Sequence, residues 1–368
     1  MKLAIACGGS GGHLTPALSL ASALKEEMEE VEIIFVVSQK PLDRKMLGEG
    51  KTVLALPVVG MPRFFSWRFP IFLAKFSVSF LICFFWALRR RPDLFVGFGG
   101  YVSGPVILTG ALLHRPTLIH EENFIPGRAN LLLSGLASRV AVAFEETKKC
   151  FRDEKRVVCV GNPLRKDLVS LPAEAARTYF GLTKDRFTLL VVGGSQGAHR
   201  LNEAMVEAFD RMPEEDRSSF QVIHLTGEQD AGWVESRYHG LGVYARVYPF
   251  LEKMGEAYSA ADLVVARGGA MTITEVGHFK KPALLVPLAI ARNHQLENVR
   301  YLSERGACVL FEEERAMTEE FPKEILNLKR DPSRRKALSE KLATFSPNGT
   351  ATRLAREVIF LAKGSKSQ

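Results

Sequence analysis

One feature constrains this chain more than any other: an apolar run that ends in a cluster of glycines and passes straight into a helix. Lys2-Leu-Ala-Ile-Ala-Cys7 reads as a buried strand and Gly8-Gly-Ser-Gly-Gly12 as a turn. Thr15 then reads as a helix cap, Pro16 as the first helical residue and Ala17 to Ala23 as strong helix former. Glycines at such a turn let backbone amides approach an anion closely, and the helix start adds partial positive charge. The turn is then a cradle for phosphate; the plainer reading is a tight turn that needs positive φ. A second copy of the pattern, Leu189-Leu-Val-Val-Gly193-Gly-Ser-Gln-Gly197-Ala-His199, favours the cradle.

The rest of the chain repeats the scheme. In the first half, apolar runs suited to strands are Leu3–Cys7, Val31–Val37, Val53–Leu56, Leu94–Val96, Thr117–Ile119, Val140–Ala143 and Val157–Val160. In the second half they are Leu189–Val192, Val222–Leu225, Val243–Val247, Leu263–Val265 and Ala283–Val286. Helical stretches separate most of them. Alternation of this kind predicts an α/β fold with parallel sheets covered on both faces. Ligands of such sheets bind beyond the C-terminal strand ends. A length of 368 residues suits two domains, one glycine turn in each. The net charge of +8 suits an anionic surface or substrate and is too diffuse to argue for nucleic acid. The five cysteines are scattered, with no CxxC pair, as expected of reduced thiols and no zinc site. Met1-Lys2 leads directly into a strand, so no secretory signal is expected.

The block from Met61 to Arg91 breaks the pattern. Phe69 to Leu88 has about the length of a membrane span, with Lys75 its one charge. A single crossing, however, would divide strands that share one sheet between the two sides of a bilayer. Phe65, Phe69, Phe72, Phe76, Phe80 and Phe84 recur at steps of three and four, on one helical face, with Lys75, Ser79 and Cys83 as a narrower polar strip. With Arg63, Arg68, Arg89-Arg90-Arg91, Trp67 and Trp86 at its edges, the block reads as an apolar helical pair resting on an anionic membrane.

Polar motifs gather at the expected strand ends. Gly97-Phe-Gly-Gly-Tyr-Val-Ser-Gly-Pro105 is a further glycine-dense turn. His120-Glu-Glu-Asn123 places ionisable groups where a ligand would sit, although Glu122 or Asn123 also suits a helix cap. Gly161-Asn-Pro-Leu-Arg165 closes the first half, and the charged text to Arg186 reads as a linker region. Arg267-Gly-Gly-Ala-Met-Thr-Ile-Thr-Glu275 joins a strand to a helix. Its amides suit a phosphate, and Glu275 suits a ribose or simply the helix dipole. Asn293-His-Gln295 supplies polar tips for sugar hydroxyls. The last helix, near Ala351 to Ala362, offers Leu354, Val358, Ile359 and Leu361 for docking onto the first domain.

These motifs exclude several chemistries. Gly8 to Leu14 fits no register of G-x-G-x-x-G, and the second strand ends Val36-Val-Ser-Gln39 without an acidic residue, so a nicotinamide cofactor is disfavoured. Neither turn holds a Walker motif, and no Asp-x-Asp occurs to bridge a diphosphate through metal. A diphosphate gripped by amides and helix ends, with a ribose and a sugar beside it, describes a nucleotide-sugar donor without metal or other cofactor.

Read together, Gly8-Gly-Ser-Gly-Gly-His13-x-x-Pro16, Gly99-Gly-Tyr-Val-Ser-Gly-Pro105, His120-Glu-Glu-Asn123, Gly161-Asn-Pro-Leu-Arg165, Gly193-Gly-Ser-Gln-Gly-Ala198, Gly268-Gly-Ala-Met-Thr-Ile-Thr-Glu275 and His294-Gln295 resemble the MurG family of N-acetylglucosaminyltransferases. Ser10 stands where that family usually has threonine, and Glu122 where it usually has glutamine. The resemblance implies a GT-B fold, two Rossmann-like domains facing across a cleft: residues 1–164, completed by helix 346–364, for acceptor and membrane, and 165–345 for the UDP-sugar. It implies an inverting transfer of N-acetylglucosamine from UDP-N-acetylglucosamine to the C4 hydroxyl of a polyprenyl-diphosphate-linked N-acetylmuramyl-pentapeptide (lipid I). The enzyme would be peripheral on the cytoplasmic face of the bacterial membrane.

By the same resemblance Glu275 would hold the ribose, Ser195 and its turn the diphosphate, and the backbone near Leu251 the uracil. Gln295 and the stretch Ala270, Met271, Thr272, Ile273 and Thr274 would bind the donor sugar. Ser10, Gly11, Gly12, Asn123 and Arg165 would complete the donor site. His13, at a helix start whose positive end favours the neutral ring, is the expected general base, with Glu121 its rival and a structural or acceptor-binding role its alternative. An epimerase acting on the same donor and a non-catalytic sugar-nucleotide binder are the competing classes.

Overall fold

The structure, a computed structural model, describes residues 1–8, 11–62, 66–194, 197–288 and 294–364. The chain divides into two compact units, Met1–Arg165 with Gly349–Gln368, and Lys166–Asn348.

The first unit runs β1 (Lys2–Ala6), α1 (Gly11–Glu27), β2 (Glu32–Ser38), α2 (Pro41–Leu47), β3 (Thr52–Leu56), α3 (Phe69–Arg90), β4 (Leu94–Gly97), α4 (Gly100–Leu112), β5 (Thr117–Glu121), α5 (Arg128–Ser134), β6 (Arg139–Val142) and β7 (Val157–Cys159). Its strands form one seven-stranded sheet in the order β3-β2-β1-β4-β5-β6-β7, parallel throughout. Strand order reverses between β1 and β4, so the turns after these two strands flank the switch point where such sheets take ligands. Alternate residues of β1 serve opposite faces. Leu3 and Ile5 pack with Leu14, Leu20 and Leu24 of α1, and Ala4 and Ala6 with Cys83, Ala87, Val102 and Val106 of α3 and α4.

The second unit runs α6 (Ala173–Tyr179), β8 (Phe187–Val192), α7 (His199–Arg211), α8 (Glu214–Arg217), β9 (Phe220–Leu225), α9 (Ala231–Gly240), β10 (Tyr244–Tyr248), α10 (Met254–Ala260), β11 (Leu263–Ala266), α11 (Ala270–His278), β12 (Ala283–Leu285), α12 (His294–Ser303), β13 (Val309–Leu310), α13 (Glu320–Arg330) and α14 (Pro332–Ala343). Its six-stranded parallel sheet has the order β10-β9-β8-β11-β12-β13, reversing between β8 and β11. The final helix, α15 (Thr350–Gly364), returns to the first unit, where Ala351, Leu354, Ala355, Val358 and Ala362 join the core around β1 and α1.

Four local features differ from expectation. Helix α1 begins at Gly11, so Thr15 and Pro16 lie inside it rather than at its start. Helix α4, which also opens on a glycine, likewise carries an internal proline, Pro105. Each proline withholds one N–H from the helix ladder, early enough for the helix to continue. The charged text from Lys166 to Arg186 is part of the second unit rather than a linker. It contains α6, whose Arg177 binds Asp262 at 2.7 Å and the carbonyl of Ala260 at 3.2 Å. The apolar block is one 22-residue helix, α3, rather than a pair. Finally, of the strip expected to be polar, Lys75 is exposed as expected, but Ser79 and Cys83 are buried. Ser79, Cys83 and Ala87 pack inward, because small side chains let the helix approach α4 and the sheet closely. Phe72, Phe76, Phe80 and Phe84 are half-buried flanks, while Ile71, Leu73, Val78, Leu81, Ile82, Phe85 and Leu88 point out. Phe65 and Arg63 lie outside the described residues.

Candidate active site

In the first unit, the site is built on the β1–β4 switch point. Gly8 follows β1 with φ of 118°, and a Cβ there would lie 2.6 Å from Oδ2 of Asp43. Asp43 is buried and accepts hydrogen bonds from the amide and hydroxyl of Ser38 at the end of β2. The turn after β1 is thus pressed onto an anchored carboxylate, which is why glycine is needed there. Gly11 and Gly12 open α1, and His13 follows.

The His13 ring lies on the backbone of Gly99 and Gly100, at the start of α4. Both glycines have positive φ, 87° and 69°, and a Cβ on Gly100 would come within 3.2 Å of the imidazole Cδ2. Nδ1 of His13 is 3.4 Å from Oε1 of Glu122. The carboxylate that faces the ring comes from a different element, so only the helix start is visible in local sequence.

Glu121 and Glu122, adjacent in sequence, have different work. Glu121 is buried, and its carboxylate accepts from the amide and side chain of Asn123 at 2.9 and 3.0 Å, the amide of Gly127 at 2.9 Å and Nδ2 of Asn130 at 2.8 Å. It is the hub that shapes the loop from β5 to α5. Four donors occupy its lone pairs, which leaves it poorly placed to take a proton from a substrate. His120 is also buried, and its Nε2–H donates to the Gly161 carbonyl at 3.1 Å. Burial pushes its pKa down to about 4, so the ring is neutral and structural. Asn162 reaches back with its Nδ2 to the Glu122 carbonyl at 3.2 Å, and Arg165 is half-buried three residues on.

In the second unit, the corresponding rim lies at the β8–β11 switch point. The turn after β8 includes Gly194 and Gly197 with φ of 96° and 77°, and a Cβ on Gly197 would collide with the Thr226 carbonyl. Helix α7 follows with no side-chain cap at Ala198. After β11, Gly269 caps α11, and the first intrahelical bond runs from Ile273 N–H to the Gly269 carbonyl at 3.0 Å. The amides of Ala270, Met271 and Thr272 precede that bond and have no intrahelical acceptor. The side chains of Ala270, Met271, Ile273 and Thr274 are buried, so the stretch offers a ligand backbone N–H groups rather than side chains. Glu275 is half-buried, and its Oε2 accepts from the Tyr258 hydroxyl at 2.8 Å. Behind the glycines, Arg267 is buried against Glu313 at 2.5 Å and donates to the Val286 carbonyl at 3.0 Å. Gln295, in the first turn of α12, accepts from the Leu288 amide at 3.2 Å through its Oε1. Leu251 is half-buried, just past β10.

Two expected contacts, Ser10 and Ser195, lie outside the described residues. Within the first unit, His13 meets Glu122 and Glu121 meets Asn123; within the second, Glu275, the α11 amides and the turn after β8 share one rim. Sequence reasoning missed Tyr258, Asp43 and the Arg267–Glu313 pair. Their signal is tertiary: each reaches its partner from a different element.

Residues 3–142 match the Glycosyltransferase family 28 N-terminal domain, and residues 188–354 the Glycosyltransferase family 28 C-terminal domain. A curated protein of Desulfotalea psychrophila is 36% identical over 97% of this chain and 97% of its own. One of Thermodesulfovibrio yellowstonii is 39% identical over 90% of this chain and 91% of its own. Both are named UDP-N-acetylglucosamine–N-acetylmuramyl-(pentapeptide) pyrophosphoryl-undecaprenol N-acetylglucosamine transferase. Among solved structures, the crystal structure of Acinetobacter baumannii MurG superposes with a TM-score of 0.76 at 26% identity, covering 97% of this chain and 98% of that one. A UDP-N-acetylglucosamine 2-epimerase from Listeria monocytogenes shares the fold at 15% identity, with a TM-score of 0.69 over 97% of this chain and 95% of that one.

Proposed function

This chain belongs to the MurG family of glycosyltransferases, with the two-unit parallel-sheet architecture of GT-B enzymes, and on that premise we propose how its residues divide the reaction. The reaction is transfer of N-acetylglucosamine from UDP-N-acetylglucosamine to the C4 hydroxyl of the N-acetylmuramyl group of lipid I, giving lipid II for peptidoglycan synthesis.

The second unit holds the donor. Glu275, steadied by Tyr258, accepts from the ribose hydroxyls. The amides at the start of α11 and the turn after β8 face the sugar and the diphosphate. Gln295 reads a donor sugar hydroxyl, and the backbone at Leu251 reads the uracil. As the glycosidic bond breaks, negative charge grows on UDP, and preorganised N–H groups stabilise it without reorganising.

The first unit supplies the base. The acceptor hydroxyl attacks the anomeric carbon from the face opposite UDP and inverts it, while its proton passes to Nε2 of His13. Glu122, against Nδ1, orients the ring and stabilises the imidazolium that forms. The observation that carries this reading is the seating of His13 on Gly99 and Gly100 with its other nitrogen toward Glu122.

Helix α3 is the membrane-docking face. It reaches a mean hydropathy of 2.1, enough for a span by length and composition, yet β1 pairs with both β2 and β4, on either side of α3 in the chain. Both ends of α3 therefore return to one sheet, and the helix lies along a surface rather than crossing it. Its outward aliphatic side chains gain about 1 kcal/mol each on leaving water. Beside them, Leu54, Phe85, Trp86, Arg89 and Arg90 line an open groove of about 540 Å³, which pairs apolar walls with two cations as an anionic lipid surface requires.

Radiolabelled UDP-N-acetylglucosamine with short-chain lipid I tests the reading. UDP release that depends on acceptor, with label in the lipid, supports it. Conversion of the donor without acceptor, or donor binding without turnover, overturns it.

A further inference from the structure

Two exposed cations stand without anions at the strand-end rim of the first unit. Lys40 leads from β2 into α2, and Arg44 lies one turn further along that helix. Among the described residues neither has a carboxylate partner. Asp43, beside Arg44 in sequence, turns inward and accepts from the amide and hydroxyl of Ser38. Lys40 lies instead over a ring: its Nζ is 5.7 Å from the centroid of Tyr101. Tyr101 is half-buried in the first turn of α4. Gly60, beyond β3, approaches the same ring, and a Cβ there would lie 3.8 Å from Cδ1. The ends of β2, β3 and β4 therefore meet at Tyr101, and an ammonium set on an aromatic face keeps its N–H donors for an anion.

The acceptor supplies anions of two kinds. Lipid I carries an N-acetylmuramyl-pentapeptide on a lipid diphosphate. In muramic acid the peptide hangs from the lactyl ether on C3, the carbon next to the reacting C4 hydroxyl, while the diphosphate sits on C1 across the sugar ring. A hydroxyl at Nε2 of His13 therefore brings the first peptide residue beside the imidazole, and the peptide must leave along the rim. One way out passes Glu122, whose carboxylate is 3.4 Å from Nδ1 and repels the peptide's own carboxylates. The other passes Gly100, against which the His13 ring lies, and then Tyr101 and Lys40. Five extended residues span roughly 17 Å, which reaches from the imidazole past Tyr101 to Lys40.

We propose that Tyr101, Lys40 and Arg44 form the subsite for the acceptor's peptide, with the ring flanking the chain and the two cations meeting its carboxylates. This deepens, and rests on, the reading that His13 takes the proton of the acceptor hydroxyl. The α2 cations are specificity residues: they set how tightly the acceptor is held and leave the chemical step alone. The pairs form at an exposed rim, where each contributes a modest factor and is screened by salt.

The test is acceptor kinetics on the full chain in low salt, with saturating UDP-N-acetylglucosamine and two short-chain forms of lipid I, one with its peptide carboxylates free and one with all of them amidated. Both side chains are exposed, so Lys40→Gln with Arg44→Gln, and the charge-reversed Lys40→Glu with Arg44→Glu, spare the core. On the free-carboxylate acceptor the Gln pair should raise acceptor KM about three- to tenfold and the Glu pair further, with kcat within about twofold and donor KM unchanged. Wild type should show the same rise on the amidated acceptor, and there the Gln pair should add nothing. A rise that persists in full on the amidated acceptor means that the cations meet the diphosphate, and overturns the proposal; so does a KM that neither pair changes. Failure of the underlying base assignment is read separately, from wild-type kcat in His13→Ala, and removes the proposal's starting point with it.

Discussion

Oε1 of Glu122 stands 3.4 Å from Nδ1 of His13, at the point where β1 and β4 send the chain in opposite directions. The pair joins a helix start to a loop more than a hundred residues away. His13→Ala should lower kcat by about a hundredfold or more with donor affinity nearly kept, and Glu122→Gln by about three- to tenfold with both KM values unchanged. Single-turnover rates with pre-bound donor measure this, and a His13→Ala enzyme near wild-type kcat removes the base assignment.

Glu121 predicts a different phenotype. With four hydrogen bonds on one buried carboxylate, Glu121→Gln presents an NH2 group to donors that need an acceptor. Urea unfolding should show a loss of about 1–3 kcal/mol, while the fraction that remains folded keeps turnover. An unchanged midpoint with lost turnover would return Glu121 to the list of bases.

Glu275 and Tyr258 should separate by degree. Glu275→Ala removes the proposed ribose acceptor and should raise donor KM about tenfold to a hundredfold, whereas Tyr258→Phe, which takes one hydrogen bond from the carboxylate, should raise it about threefold. Neither should alter acceptor KM.

The outward side chains of α3 can be tested apart from catalysis. Leu81→Ser with Phe85→Ser should abolish flotation with anionic vesicles, yet leave the rate on a soluble short-chain acceptor within about twofold of wild type, because both side chains are exposed and neither belongs to the buried core. Unaltered flotation would mean that α3 is not the docking face.

Two buried histidines make stability depend on pH. Folded His120 and His224 titrate at about 4 and about 3, both because burial penalises the charged ring, whereas the unfolded chain takes up these protons near pH 6.5. The unfolded state binds more protons between those limits, so stability is full above pH 6.5 and falls as pH drops toward 4. His120→Gln, which keeps a donor for the Gly161 carbonyl, should flatten part of that slope in urea midpoints measured from pH 7 to 4.

Much of the fold follows from local pattern. Twelve of the strands lie in apolar runs bounded by turns, and β13 escapes because two residues carry no period. Pro16 misleads because a glycine can open a helix and defer the proline to its second turn, which rules built on capping side chains do not anticipate. Helix α3 misleads for a different reason. Periodicity locates a stripe of phenylalanines, but which face packs depends on closeness of approach, and Ser79, Cys83 and Ala87 allow more of it than any ring. At the candidate site, Glu275 and His13 stand out in the sequence because each follows a glycine-rich strand-to-helix turn. Tyr258 and Asp43 do not, since one polar residue among several on a helix acquires meaning only from what another element brings to it.

The return of α15 to the first unit has a consequence for synthesis of the chain. Leu3 and Ile5 leave the ribosome about 350 residues before Leu354 and Val358, which share their core. The second unit is contiguous and can close as soon as Asn348 has emerged. The first unit must instead wait, with the apolar surface that α15 covers exposed, for a segment translated after the whole of the second unit. A nascent chain stalled before Gly349 should thus be protease-resistant in its later half and a chaperone client in its earlier one.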